Sequence, residues 1–372
     1  MAFSVRTRWV AALAVGWLLA GVPACSSAGG DDAADSDEAD GQKPPIDSGD
    51  GEDGDATPDG GATPAGDGDR DDVSTMAPAP GAFDFDDASY RADLEFITGE
   101  REPGSEHWQA VQDMCAERLT DLGFDVTRPA YETGVNVLGT MIGEGAPDEL
   151  VIVGAHYDHI PGCPGADDNA TAVAGALELA RLLGGEMHAR TLVIACWDEE
   201  ELGLLGSAAH AGEIAESGME VAVAISLEMI GFASDEPDTQ MVPVGFDLAF
   251  PEAVAAVRDN DLRGDFITYI GNEPAAGTLE LLGASADALP LPSITLQATE
   301  ALGPVLANLV RSDHASFWLN GAPGVMITDS ANFRNPNYHC QNGEDTIDTL
   351  DLDFAASVVV TTTAAVEREL NP

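Results

Sequence analysis

The sequence predicts one α/β domain in which a largely parallel sheet is covered on both faces by helices. Three observations carry this. Apolar β-type runs, "NVLGTMI", "ELVIVGAHYD", "RTLVIACWD", "VAVAISLEMI" and "GVMITDS", recur from residue 136 onward. Helical patterns separate most of them, and such alternation marks strand–helix–strand units. The runs are apolar at nearly every position, as strands buried on both faces are. Neither an internal repeat nor a second domain is visible.

In chain order, Arg6 and Arg8 precede "WVAALAVGWLLAGV", an apolar stretch too short to span a membrane comfortably. It ends in "VPAC", which resembles a bacterial lipoprotein signal that is cut to leave Cys25 as a lipidated amino terminus. The expectation is a chain exported and anchored through Cys25 in the cell envelope. Residues 26–82 are almost wholly Asp, Gly, Ala, Pro, Ser and Thr. They have nothing to bury and read as a disordered acidic tether, about 40 Å long by the square-root rule for flexible chains. This divides the sequence into a signal at 1–25, a linker at 26–82 and a folded domain at 83–372. Sixty-six acidic against 15 basic residues, a net charge of −51, exclude a phosphate-backbone partner and predict no nucleic-acid binding.

The folded part opens with "FDFDDASYRADLEFITG", followed by a helix carrying "WQAVQDMCAERLTDLG" that Gly123 ends. Further helices are expected at 169–183 and after Gly206, and "EDTIDTLD" opens the last one. Several buried strands end in groups that a core does not tolerate. "VIVGA" runs into His156, Tyr157 and Asp158; "TLVIACW" into Asp198, Glu199, Glu200 and Glu201; "VAVAISL" into Glu228. Carboxyl ends of strands form the ligand crevice of open α/β sheets, so these groups converge. With few Lys or Arg nearby, a cation is the simplest neutraliser. Nitrogen and oxygen donors without thiolates suit Zn²⁺, with Mn²⁺ or Co²⁺ as substitutes. In "GADDNATAVAGALELAR", Asp167 and Asp168 adjoin at a helix start. Asp168 and Asn169 are expected to cap that helix, while Asp167 reaches the metals and bridges them; read alone, both could be plain caps.

Taken together, "GAHYDH", "PGADDNATAV", "DEEELGLLGS", "SLEMIGF" and "NPNYH" resemble, in that order, the co-catalytic di-zinc exopeptidase family of secreted bacterial aminopeptidases and glutamate carboxypeptidase. The resemblance runs from about Ala88 to the end. It implies the zinc-exopeptidase fold, a single three-layer α/β/α domain on a mixed, mostly parallel sheet. It also implies that His156, Asp167 and Glu228 hold one zinc, and that Asp167, Glu201 and His339 hold the other. Glu200 would be the general base, Asp158 would fix the ring of His156, and Tyr338 would stabilise the oxyanion. The "EExGxxGS" spacing selects Glu200 and Glu201 from the run of four carboxylates, and His339 is preferred to His314 as the last ligand.

Asp313 and His314 are then expected to line the pocket, and His159 either to touch substrate or to lie exposed. His107, His188 and His210 read as surface residues. If the ligands meet, Cys163 and Cys340 become neighbours that an exported protein could oxidise, so a disulfide at the rim is expected. Cys196 reads as a buried free thiol. The implied activity is zinc-dependent aminopeptidase action on peptides. Rivals are a carboxypeptidase, which needs a cation such as Arg311 or Arg334, a glutaminyl cyclase, and a catalytically inactive binding module.

Overall fold

The structure, a computed structural model, describes residues 83–372; the expected signal segment and acidic linker lie outside them. Strands follow in the order β1 (Asp125–Thr127), β2 (Val137–Met141), β3 (Ala146–His156), β4 (Arg190–Trp197), β5 (Glu220–Glu228), β6 (Ile267–Asn272), β7 (Ser293–Ala298) and β8 (Gly324–Thr328). They form one sheet ordered β1-β2-β4-β3-β5-β8-β6-β7. β3 is parallel to β4 and β5, β5 to β8, and β6 to β7. The β1/β2, β2/β4 and β6/β8 pairs are antiparallel. The sheet is therefore mixed, as the resemblance implied.

The helices are α1 (Asp87–Ile97), α2 (Glu106–Asp121), α3 (Ala172–Leu183), α4 (Leu205–Ser217), α5 (Phe246–Ala249), α6 (Pro251–Asp259), α7 (Ala276–Ala288), α8 (His314–Leu319) and α9 (Leu352–Leu370). Side chains alternate along a strand, so β3 serves two layers. Its Val151, Val153 and Ala155 join the apolar cluster with α1, α2, α3, α7 and α9, whereas Leu150 and Ile152 join α4 and α8. A third cluster sets α5 and α6 against Ile270, Leu296 and Met326 of β6, β7 and β8.

Local signals behave as read at α2: the Ser105 side chain accepts from Trp108 N, and Gly123 beyond the helix end has φ +86°, a left-handed conformation that suits glycine. α3 differs. It starts at Ala172, and Ala166–Thr171 forms a separate turn in which Asp168 and Asn169 are non-helical. Neither residue caps α3. The Asn169 amide instead donates to Leu227 O and its carbonyl accepts from Met229 N, which ties the turn to the end of β5.

From β3 the chain passes through α3 to β4 on one side and returns through α4 to β5 on the other. That reversal opens a crevice above the carboxyl end of β3. Registers keep the strand ends level: His156 lies opposite Trp197, Gly154 opposite Ser226, and Glu228 opposite Thr328. Residues that follow the strands are thereby brought to one place.

Candidate metal centre and active site

His156 ends β3 with its ring buried. Its Nδ1 faces the Asp158 carbonyl at 3.2 Å and the Asp158 carboxylate at 3.5 Å, which leaves Nε2 for the crevice. The Asp158 carboxylate also accepts from the backbone N–H of Glu200 and of Glu201 at 3.0 and 3.2 Å. One buried carboxylate thus sets both the imidazole and the two following acids.

Nε2 of His156 lies 3.4 Å from Asp168 Oδ1 and 3.5 Å from Glu228 Oε2. Nε2 of His339 lies 3.3 Å from Asp168 Oδ2 and 3.3 Å from Glu201 Oε2. Donors held about 2.0 Å from a tetrahedral zinc are about 3.3 Å apart, so these four His–carboxylate contacts have the spacing of neighbouring ligand atoms. Among the described residues, His156 Nε2, Asp168 Oδ1 and Glu201 Oε1 are buried without a hydrogen-bond partner, a costly state that a cation relieves. The residues present fit a zinc-type cation centre, with Asp168 between the two histidines.

Asp167, expected to bridge, is turned away from this cluster. Its Oδ1 accepts from Gly231 N and its Oδ2 from the Asn335 amide. Burial and then Asp329 hold its carboxyl well above the usual range. With both oxygens engaged by Gly231 and Asn335, it offers no free donor to the cluster. The backbone decides between the two neighbours. Asp345 accepts from the N–H of both Asp167 and Asp168, while the buried Arg101 donates to the carbonyls of Pro164, Gly165 and Asp168. These two grips rotate the turn so that Asp168 points at the histidines.

The charges follow from this crowding. Burial opposes protonation of His156, but Glu200 and the carboxylates of Asp158, Asp168 and Glu228 outweigh it and raise its pKa well above the ordinary value. Burial is likewise outweighed at His339 by Asp168 and Glu201, which raise it to about 10. Asp168 resists its own burial because His159, His156 and His339 surround it, and it is held well below the carboxylate range. The carboxylates that raise both imidazoles would equally attract a divalent cation.

The pKa of Glu200 moves opposite to those of Asp168 and Glu201. Burial, then Glu228, Glu201 and Asp313, push it well above its ordinary value against the pull of His156. Its Oε2 stands 4.0 Å from His156 Nε2, and it groups with His156 and Glu228 within 4.8 Å. Tyr338 stacks on the His339 ring at 3.8 Å between centroids, and its hydroxyl accepts from Arg311 Nη2 at 3.1 Å. Burial first, and then Asp168, keep that phenol protonated. A disulfide joins Cys163 to Cys340, so the loop before Asp168 is clamped to the turn that carries His339. Cys115 and Cys196 are buried free thiols.

A cavity of about 920 Å³, counting its open mouth, begins at Asp168, Glu200, Glu228 and His339 and runs between the sheet and α5–α6. Phe246, Val254, Ile270, Leu296, Met326 and Phe333 line its depth, and Arg311 and Tyr338 its rim. Arg334 is not there: its guanidinium is buried over the Phe266 ring and donates to Gln240.

Other histidines depart from expectation. His188 and His210 are buried, the latter accepting from Trp197 Nε1 at 3.1 Å. His314 pairs with Leu309 O and the Trp318 ring, and is not among the residues lining the pocket. His159 is fully buried against Asp168 and Glu201. Arg101 and Asp345, which place the Asp168 turn, were not foreseen as site residues.

The sequence model of peptidase family M28 matches residues 136–366. Uncharacterized protein YfbL of Escherichia coli (strain K12) is 31% identical over 269 residues, covering 68% of this chain and 76% of its own. A probable zinc metalloprotease of Leptosphaeria maculans is 25% identical over 242 residues, 60% of this chain and 54% of that one; the chain spans about half the length of that relative. Among solved structures, the Legionella pneumophila LapA aminopeptidase superposes with a TM-score of 0.58 at 14% identity, covering 77% of this chain and 73% of that one. Porphyromonas gingivalis glutaminyl cyclase gives 0.56 at 19% identity, over 77% and 99%. At these identities the two structures establish a shared fold, and that fold hosts both chemistries.

Proposed function

Because the chain belongs to peptidase family M28, we propose that it is a zinc-dependent aminopeptidase preferring peptides with a large apolar first residue. The observation that carries this reading is Glu200, a protonatable acid beside a cluster of His and carboxylate donors, at the mouth of an apolar pocket. His156, Asp168 and Glu228 would hold one zinc, and Asp168, Glu201 and His339 the other. When bound, such a pair supplies Lewis-acid polarisation of the scissile carbonyl and a more acidic water.

The chain's own residues do the rest. Glu200 takes a proton from the attacking water and hands it to the departing amine, which is the work of an acid whose affinity for protons is raised. Asp158 keeps Glu200 in place through its backbone N–H. Tyr338, aligned by Arg311, donates its hydroxyl proton to the oxygen that becomes negative. The carboxylates at the pocket mouth favour a cationic amino terminus, and the lining beyond them favours an apolar side chain.

One observation favours a second reading. Arg311 lies at the rim, and a guanidinium there could receive a free carboxylate, as a carboxypeptidase requires. Aminoacyl-p-nitroanilides, N-blocked peptides with free carboxyl termini and peptides with N-terminal glutamine separate the possibilities. Release from free-amine substrates alone, lost on chelation and restored by zinc, is the expected result. Cleavage of blocked peptides would replace it with a carboxypeptidase, and ring closure of glutaminyl peptides with a cyclase. Bound zinc without turnover on any of them would leave a binding module. We also propose export and tethering through Cys25, a reading supported by residues 1–82 alone; Cys25→Ala should then move the protein from the membrane fraction to the soluble one.

A further inference from the structure

We propose that His159 is a ligand of the cation at the His339 end of the cluster, which makes the two ends of the site unequal. The inference rests on the zinc-peptidase reading above and adds a donor to it. His159 is fully buried, yet neither Nδ1 nor Nε2 has a hydrogen-bond partner among the described residues. A buried imidazole with both nitrogens unmet is unfavourable unless one of them binds a cation. Its Nδ1 lies 2.9 Å from Glu201 Oε1 and 3.8 Å from Asp168 Oδ1, and all three atoms lack hydrogen bonds. Donors that close in without bonding one another point to a shared centre. His159, Asp168 and Glu201 each offer one donor atom to a set lying within 4.8 Å of one another.

The ring is held in this position from several sides. His159 N donates to the carbonyl of Arg101 at 3.2 Å. Gly165 has φ +61°, and a Cβ there would come within 2.5 Å of the His159 ring, so this position requires glycine on both counts. The His339 ring meets His159 edge-on at 5.8 Å.

With His159 included, one end has four protein donors: His159, Asp168, Glu201 and His339. That is the make-up of a closed zinc site. The other end has three, His156, Asp168 and Glu228, as do sites that keep a position for water or substrate. Glu200 groups with His156 and Glu228, at the open end. The His159 end anchors the centre and the His156 end meets substrate.

The test uses the full-length chain as wild type, His159→Phe, which keeps a ring without lone pairs, and His159→Asn, which returns an oxygen near Nδ1. Chelator competition gives the zinc affinities, and zinc X-ray absorption counts imidazoles. The wild type should show three imidazoles for two zincs. His159→Phe should keep one ion and bind the other more than about 100-fold more weakly, beyond the usual cost of losing a group that merely supports a ligand, and His159→Asn should recover part of that loss. Two imidazoles for two zincs in the wild type, with both ions retained at unchanged affinity in His159→Phe, would overturn the assignment. Should the Phe variant fail to fold, the wild-type imidazole count decides alone. A wild type that binds no zinc would remove the zinc reading together with this inference, whereas two zincs with two imidazoles would remove only the role of His159.

Discussion

Replacing Cys163 and Cys340 together by serine should loosen both the domain and its metal centre. The bond closes a loop of sequence separation 177, and on the chain-entropy account a loop of that length contributes about 5 kcal/mol. With a melting entropy of about 0.6 kcal/mol/K for a domain of this size, the expected fall in Tm is about 8 °C. The effect should reach the site because His339 and Cys340 have φ of +53° and +54°, a left-handed conformation costing roughly 1–2 kcal/mol per residue. Released from Cys163, that turn relaxes and withdraws His339 and Tyr338 from the crevice. Thermal unfolding of the full chain, oxidised and reduced, is compared with the double variant, together with thiol titration of the native protein. Two additional reactive thiols in the native protein, with Tm values that agree within about 2 °C across the three samples, would refute the reasoning.

Three further expectations follow from the geometry. Asp168→Asn should leave less than one zinc per chain, whereas Asp167→Asn, at a carboxyl whose oxygens face Gly231 and Asn335, should keep wild-type metal content; elemental analysis of the two proteins reads this directly. His210 is buried, and burial lowers its pKa to about 4. The unfolded chain therefore binds a proton there between pH 6.5 and 4 that the folded chain refuses, so the contribution of His210 to stability is full above pH 6.5 and falls by about 3 kcal/mol as pH drops to 4. His210→Asn, which keeps an acceptor for Trp197, should flatten that part of the stability curve, as urea titrations at pH 7 and pH 4 would record. Ala253→Trp, which fills the apolar cavity, should lower kcat/KM for leucyl and phenylalanyl p-nitroanilides by roughly 10–100-fold while changing alanyl turnover much less; equal losses on all three would place the side-chain pocket elsewhere.

Much of the frame was legible because buried strands advertise themselves. β3, β4, β5 and β8 each hold an apolar run rich in Val, Ile, Leu and Ala, and polar residues follow those runs where the crevice lies. β6 and β7 escaped notice: Ile267–Asn272 mixes Thr, Tyr, Gly and Asn, and Ser293–Ala298 is only partly buried. His156, Glu200, Glu201, Glu228 and His339 were implied by the family resemblance of their motifs, and the structure brings them together. Asp167 and Asp168 could not be told apart, since spacing cannot choose between identical neighbours. What separates them is a pair of contacts to backbone atoms, from Arg101 and from Asp345, and such contacts leave no pattern in sequence. His210 was misplaced for a related reason, its partner Trp197 lying on a different element.

The central claim is that Glu200 moves protons without holding the metal. Zinc content and aminopeptidase turnover measured on the same samples of wild type and Glu200→Gln test it most directly. The account predicts two zincs per chain in both proteins, with kcat in the variant lower by about 10²–10⁴-fold and KM little changed. A variant that loses zinc along with activity, or one that keeps near wild-type turnover, would contradict it.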